Sequence, residues 1–94
     1  MNVIARKALI EYGKKYADAK SRLDAWYHEA DKANWSGPRD IKDRYPSASF
    51  LRDDIVIFNI KGNSYRLVVK ISYGSRVVLI KWFGTHAEYD KKVF

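Results

Sequence analysis

Apolar residues recur along this chain with two different periods, one suited to helices and one to strands. In the first third, Ala5, Ala8, Leu9, Tyr12 and Tyr16 are spaced by three and four residues, which predicts one face of a helix. Arg6, Lys7, Glu11, Lys14 and Lys15 fall mainly on the opposite face. Gly13 weakens such a helix by about 1 kcal/mol relative to alanine. A second stripe, Ala19, Leu23, Trp26, Tyr27, Ala30 and Ala33, predicts another helix. Asp18 is its expected N-cap, because a carboxylate there accepts from exposed backbone N–H groups. The short connection between the two helices favours an antiparallel hairpin.

Asn34, Ser36 and Gly37 break the pattern. Pro38 suits the first turn of a helix, which needs no N–H there, so one or two helical turns are expected over Pro38–Arg44. The Tyr45-Pro46 step ends them, since a residue before proline avoids the helical region. Residues 47–54 read as a loop with a short strand around Phe50, and Asn2–Ala5 as an edge strand.

The second half turns β-branched and aromatic. Ile55–Ile60, Ser64–Tyr73 and Val77–Phe83 read as strands, joined at Gly62-Asn63 and Gly74-Ser75 by two-residue turns. Gly84 is expected to end the last strand, and Thr85 to N-cap a final turn through HAEYDKK. The register follows from the turns: Asn59 faces Arg66, Ile57 faces Val68, and Ile55 faces Lys70. Across the second turn, Arg66 faces Phe83, Val68 faces Lys81, and Lys70 faces Leu79. Alternation then puts Asn59, Arg66, Lys70 and Lys81 on one face. Val56, Phe58, Ile60, Tyr65, Leu67, Val69, Ile71, Val78, Ile80 and Trp82 fall on the other, which the two helices should cover. The expected fold class is α+β, an N-terminal helical hairpin on a small, mainly antiparallel sheet with a short C-terminal helical turn. One domain is expected over residues 1–94.

Composition adds a partner class. Lys plus Arg is 18 against 11 for Asp plus Glu, a formal net charge of +7. That excess favours a polyanion: nucleic acid, an acidic protein or an anionic membrane. The absence of cysteine excludes disulfide frameworks, Cys-zinc sites and thiol nucleophiles. No apolar run approaches the roughly 20 residues of a membrane span, and MNVIARKALIEYGKKY has neither the h-region nor the cleavage site of a signal peptide. A cytoplasmic protein is therefore expected.

The basic face ends beside Thr85, His86, Tyr89 and Asp90, and together they hold the parts of a metal-free ribonuclease. RNA carries its own nucleophile, the 2′-hydroxyl. Histidine suits proton transfer near neutral pH, Arg66 can clamp phosphate oxygens bidentately, and Lys70 and Lys81 can act as point charges. Tyr89 can stack a base. Each piece also has a plainer reading. A single histidine after a strand is commonly a cap or a surface residue, and Arg66 and Lys70 also fit a solvated sheet face. His86, Glu88 and Asp90 have metal-ligand chemistry, but one histidine and two acids in a turn are a weak metal signal. His28 lies on a polar helix flank, and Trp26, Tyr27 and Trp35 fit a helical core and its edge.

The stretch FGTHAEYDK, preceded by FNIKGNSYRLVV and IKDRYPSAS, resembles the HigB family of toxins from bacterial type II toxin–antitoxin systems, within the wider RelE-like group. WYHEADKANW also fits that family's helix, and the likeness spans essentially the whole chain. The resemblance implies an mRNA interferase, an endoribonuclease that cuts translated mRNA on the ribosome by transesterification through the 2′-hydroxyl, with no metal or other cofactor. It implies a HigA-like helix-turn-helix antitoxin as partner, operator DNA contacted only through that complex, and no membrane. Carried over residue by residue, it implies His86 as acid or base, Arg66 as phosphate stabiliser, Tyr89 for stacking or proton transfer, and Asp90 to orient a neighbour or bind the leaving side. Lys42, of the family's L/I-K-x-x-F/Y-P segment, and Asn59, of N-x-x-G-N-x-x-R, join Lys70 and Lys81 as RNA-binding residues. The competing readings are a non-catalytic RNA- or ribosome-binding module and a protein-interaction subunit.

Overall fold

The computed structural model describes residues 1–92. The elements run β1 (Asn2–Ile4), α1 (Arg6–Lys15), a 3-10 turn (Ala17–Ala19), α2 (Lys20–Lys32), α3 (Pro38–Arg44), β2 (Ser49–Phe50), β3 (Ile55–Ile60), β4 (Tyr65–Ser72), β5 (Val77–Thr85) and α4 (His86–Asp90). The strands form one sheet in the order β1-β5-β4-β3-β2. The expected meander, β3-β4-β5, is its centre, and the fold is α+β as expected. Two short strands extend it: β1 runs parallel to β5, and β2 pairs antiparallel with β3.

The helical hairpin covers one face. Arg6, at the start of α1, stacks its guanidinium 4.1 Å from the ring centre of Tyr27, near the end of α2. At the other end of the pair, Gly13 is buried, and a Cβ there would stand 3.2 Å from the Lys20 side chain. Gly13 thus gives up helix propensity for close approach to Lys20. Leu9, Leu23, Trp26 and Ala30 pack on the sheet with Phe58, Leu67, Val69, Ile71, Val78 and Phe83 in one buried cluster. Ile41 of α3 joins the same cluster.

Two helix-start expectations are corrected. Ala5 lies outside α1, as its N-cap in the left-handed region (φ 73°). Asp18 does not cap α2, whose N-cap is Ala19 without a side-chain bond. The Asp18 carboxylate instead accepts from Tyr65 Oη at 2.5 Å and Lys61 Nζ at 3.0 Å. It ties the hairpin bend to the β3–β4 turn. Those two bonds, the tyrosine's first, hold its carboxyl below the usual range, while Asp18 pushes the Tyr65 phenol up to about 12.

The register across the first turn is as expected, with Asn59 opposite Arg66, Ile57 opposite Val68 and Ile55 opposite Lys70. Across the second turn it is correct only near the turn. Lys70 faces Leu79 and Val69 faces Ile80, but Val68 faces Trp82 and Arg66 faces Gly84. Lys81 is therefore the extra residue of a β-bulge, which leaves one residue unpaired and bends its strand. The expected pairs Arg66–Phe83 and Val68–Lys81 do not form. Beyond the bulge the faces exchange: Phe83 is buried with Tyr12, Tyr16 and Tyr65 around it, and Trp82 moves to the outer face. Gly84 does not end the strand, which runs on to Thr85.

Candidate active site

Beyond the bulge, the outer face of the sheet carries Asn59, Arg66 and Gly84 in one rung across β3, β4 and β5. The neighbouring rung is Ile57, Val68 and Trp82. Ile57 and Val68 are buried, and they floor the face. Arg66 is half-buried, and its guanidinium donates to the carbonyls of Asn63 at 3.2 Å and Tyr65 at 3.4 Å, so it is held at the start of β4. Three of its five N–H donors are left for a ligand beyond those two bonds.

One wall comes from α3 and the segment that follows it. Lys42 Nζ donates to Ala48 O at 3.0 Å, and Asn59 Nδ2 approaches Ser47 O at 3.4 Å. Adjacent carbonyls thus bring Lys42 from a helix and Asn59 from a strand to one place, beside Arg66. This juxtaposition joins residues 24 positions apart in sequence, from Lys42 to Arg66.

The other wall is α4. Thr85 caps it as expected, accepting from Glu88 N, while the Glu88 carboxylate accepts from Thr85 N at 2.8 Å. The reciprocal bonds make a capping box. His86 N donates to Ser64 O at 3.0 Å, which docks the start of α4 against the residue just before β4. His86 and Asp90 sit one helical turn apart, with Nε2 and Oδ1 separated by 3.4 Å. Both side chains are about half exposed, 49% and 62%, so substrate can reach the imidazole. Tyr89 faces Trp82, with ring centres 6.3 Å apart, and Lys92 places its ammonium 5.7 Å from the Trp82 ring centre.

Glu88 makes a contact of a different kind. Its Oε1 accepts from Tyr16 Oη at 2.8 Å, fastening α4 to α1 across the end of the sheet. The bonds from Thr85 N and Tyr16 Oη keep its carboxyl below the usual range. Burial, then the bond to Glu88, pushes the Tyr16 phenol up to about 12. Glu88 is thus a brace between α4 and Tyr16. Among the described residues, no group of three or more His, Cys, Asp or Glu is placed to hold a metal ion.

The structure therefore gathers Lys42, Asn59 and Arg66 at one end of the outer face, with His86, Tyr89 and Asp90 on the adjoining helix. Lys81 is exposed at the bulge. Lys70 stands farther off, four residues along β4 from Arg66, about 13 Å at strand rise. The sequence reading missed Trp82, which the bulge delivers to this face, and Lys92 above it. It also missed the brace role of Glu88, although Thr85-x-x-Glu88 has the capping-box pattern.

The family model described as HigB toxin, RelE-like toxic component of a toxin–antitoxin system, matches residues 19–92. The chain is 32% identical to the mRNA interferase toxin HigB of Escherichia coli strain K12 over 92 residues, 96% of this chain and 88% of that protein. The mRNA interferase HigB of Shigella flexneri matches to the same extent. The mRNA interferase HigB of Escherichia coli O6:H1 is 24% identical over 93 residues, 97% of this chain and 90% of that protein. The matched span contains every element of the candidate site, and the chain belongs to the HigB family of RelE-like toxins, the toxic components of toxin–antitoxin systems.

Proposed function

We propose that this chain is an endoribonuclease that cleaves translated mRNA on the ribosome by metal-free transesterification. The observation that carries this reading is the Asn59–Arg66 rung ending beside the helix that bears His86 and Asp90. Family membership and the relatives' shared name, mRNA interferase, supply the substrate class. A phosphodiester of the message lies against Arg66, with Lys42 and Asn59 along its path. His86 takes the proton of the 2′-hydroxyl, or gives one to the leaving oxygen, and Asp90 orients the ring. The 2′-oxygen bonds to phosphorus, the P–O5′ bond breaks, and the 5′-oxygen leaves with a proton. The products are a 2′,3′-cyclic phosphate and a 5′-hydroxyl end. Arg66 offsets the charge that gathers on the phosphoryl oxygens, and Tyr89 stacks an adjacent base. Lys70 and Lys81 support the approach of RNA as outlying cations.

The chain works in the cytoplasm as one domain, and its antitoxin is a HigA-like helix-turn-helix protein that also carries the complex to operator DNA. Among the described residues, no helix is long and apolar enough to cross a membrane.

The test is to induce the chain alone and map transcript ends. Growth arrest with new cuts inside translated messages is expected, and both should vanish in His86→Ala. Purified protein should cut a message on translating ribosomes and spare the naked message. Equal arrest and equal cutting by wild type and His86→Ala would overturn the catalytic reading. Arrest with intact messages in both would favour the non-catalytic RNA-binding alternative.

A further inference from the structure

We propose that the lower part of the outer sheet face is where the antitoxin docks, through an aliphatic segment that presents a carboxylate to Lys70. This rests on membership of a toxin–antitoxin family and is independent of the cleavage chemistry.

One row crosses four strands and ends on Leu51, just past β2. Ile4 pairs with Leu79, Leu79 with Lys70, Lys70 with Ile55, and Leu51 N donates to Ile55 O at 2.8 Å. Residues opposite one another share a face, so Ile4, Leu79, Lys70, Ile55 and Leu51 stand in line. Four steps between neighbouring strands make the row about 19 Å long. It lies on the face away from the helical hairpin, since Ile55 has the parity of Ile57 and core-facing Val56 the opposite one.

An antiparallel sheet normally turns polar residues to water on its open face. Here four of the five positions are aliphatic. Ile4 is 43% exposed and Leu51 42%, while Ile55 and Leu79 are half-buried. Among the described residues, two of the three exposed large hydrophobics therefore fall on this row, the third being Ile10 on α1. A hollow lined by Phe50, Leu51, Arg52, Asp53 and Ile55 opens at one end of it.

The charges select the occupant. Lys70 is the only cation within the row and has no ion-pair partner among the described residues. Exposed between Leu79 and Ile55, it calls for one carboxylate flanked by apolar groups. A phosphate chain can meet Lys70 from the Arg66 side but does not fit along the whole row, because Asp53 and Asp54 form the turn at the Leu51 end. Arg52 stands beside them. The cationic rung of Asn59 and Arg66 lies farther along the strands. The two halves of the face thus differ in chemistry, one polar and cationic, the other aliphatic around a single lysine.

The test titrates the purified chain calorimetrically with the purified protein encoded by the adjacent reading frame. Leu51→Thr/Leu79→Thr removes two apolar contacts and keeps a β-favouring residue in the strand. It is expected to weaken that binding by about a hundredfold or more. A labelled single-stranded RNA should bind the variant as it binds wild type. Circular dichroism and the thermal midpoint report folding. Should the double variant fail to fold, Leu51→Thr alone, outside the strands, decides the matter with an expected loss of about tenfold. Unchanged binding of the neighbour by a folded variant overturns the proposal. So does a wild-type chain that does not bind the neighbour. Loss of RNA binding with neighbour binding intact also overturns it, and assigns the row to nucleic acid. Cleavage by the wild type is scored separately, so failure of the endoribonuclease reading leaves this outcome interpretable.

Discussion

Gly84 and Trp82 share one space: a Cβ on residue 84 would stand 2.5 and 2.6 Å from two ring carbons of the Trp82 indole. The glycine is therefore needed for close approach of a ring, whatever its backbone angles. Gly84→Ala must displace Trp82, and overpacking of this kind costs about 1–3 kcal/mol. A lowered thermal midpoint and weaker cleavage are expected. Trp82→Leu in the same chain should restore much of the stability and little of the cleavage if the indole contributes to the site. Full stability of Gly84→Ala alone would show that the ring moves aside freely.

The Tyr16–Glu88 bond makes the position of α4 sensitive to pH at both extremes. The carboxyl of Glu88 lies below its ordinary value of 4.5 when folded. Its contribution is thus complete above the unfolded value and disappears as pH falls through the folded one. The Tyr16 phenol is raised from 10.0 to about 12. Its contribution is complete below pH 10.0 and is lost as pH rises toward about 12. Glu88→Gln should flatten the acid limb of a stability–pH profile, and Tyr16→Phe the alkaline limb. Profiles that overlay wild type in both variants would contradict the brace.

Arg66→Ala is expected to lower cleavage by about two to three orders of magnitude, the usual effect of removing one donor from a developing oxyanion. Arg66→Lys should recover only part, since lysine cannot make the bidentate contact. Single-turnover cleavage of a ribosome-bound message separates this from weaker binding. Equal rates for Arg66→Lys and wild type would reduce Arg66 to a simple positive charge.

Chelation gives a direct check on the proposed chemistry. With ribosomes kept intact by magnesium, a chelator selective for transition metals should leave the cleavage rate unchanged. Loss of cleavage that zinc or manganese restores would require a metal site in place of the His86–Arg66 reading.

Arg76 occupies the left-handed region at φ 59° in the β4–β5 turn, a conformation costly for a residue with a Cβ. Arg76→Gly should raise stability by about 0.5–1 kcal/mol, and the thermal midpoint by several degrees for a chain of this size. A fall in the midpoint would mean that the arginine side chain contributes more than its backbone costs.

The elements of this fold are written locally in the sequence, and their periods are enough to read them. The helical stripes around Leu9, Leu23 and Trp26, the strands Ile55–Ile60 and Tyr65–Ser72, and the cap at Thr85 depend on neighbours within a few residues. The family motif around His86 is local in the same way. The bulge at Lys81 is not. A strand sequence alternates identically whether or not one residue drops out of register, and only packing decides. Burying Phe83 among Tyr12, Tyr16 and Tyr65 turns Trp82 outward. Likewise Asp18 has the chemistry of a cap, but Tyr65 and Lys61 reach it from 47 and 43 residues away. The sequence by itself determined the α+β class, the family and the residue types of the site. Tertiary structure alone decided that Lys42 and Asn59 meet at Ser47–Ala48, that Trp82 comes to the face of Arg66, and that Glu88 reaches Tyr16, because packing sets the bulge in β5 and the docking of α4, and neither is written in the local periodicity.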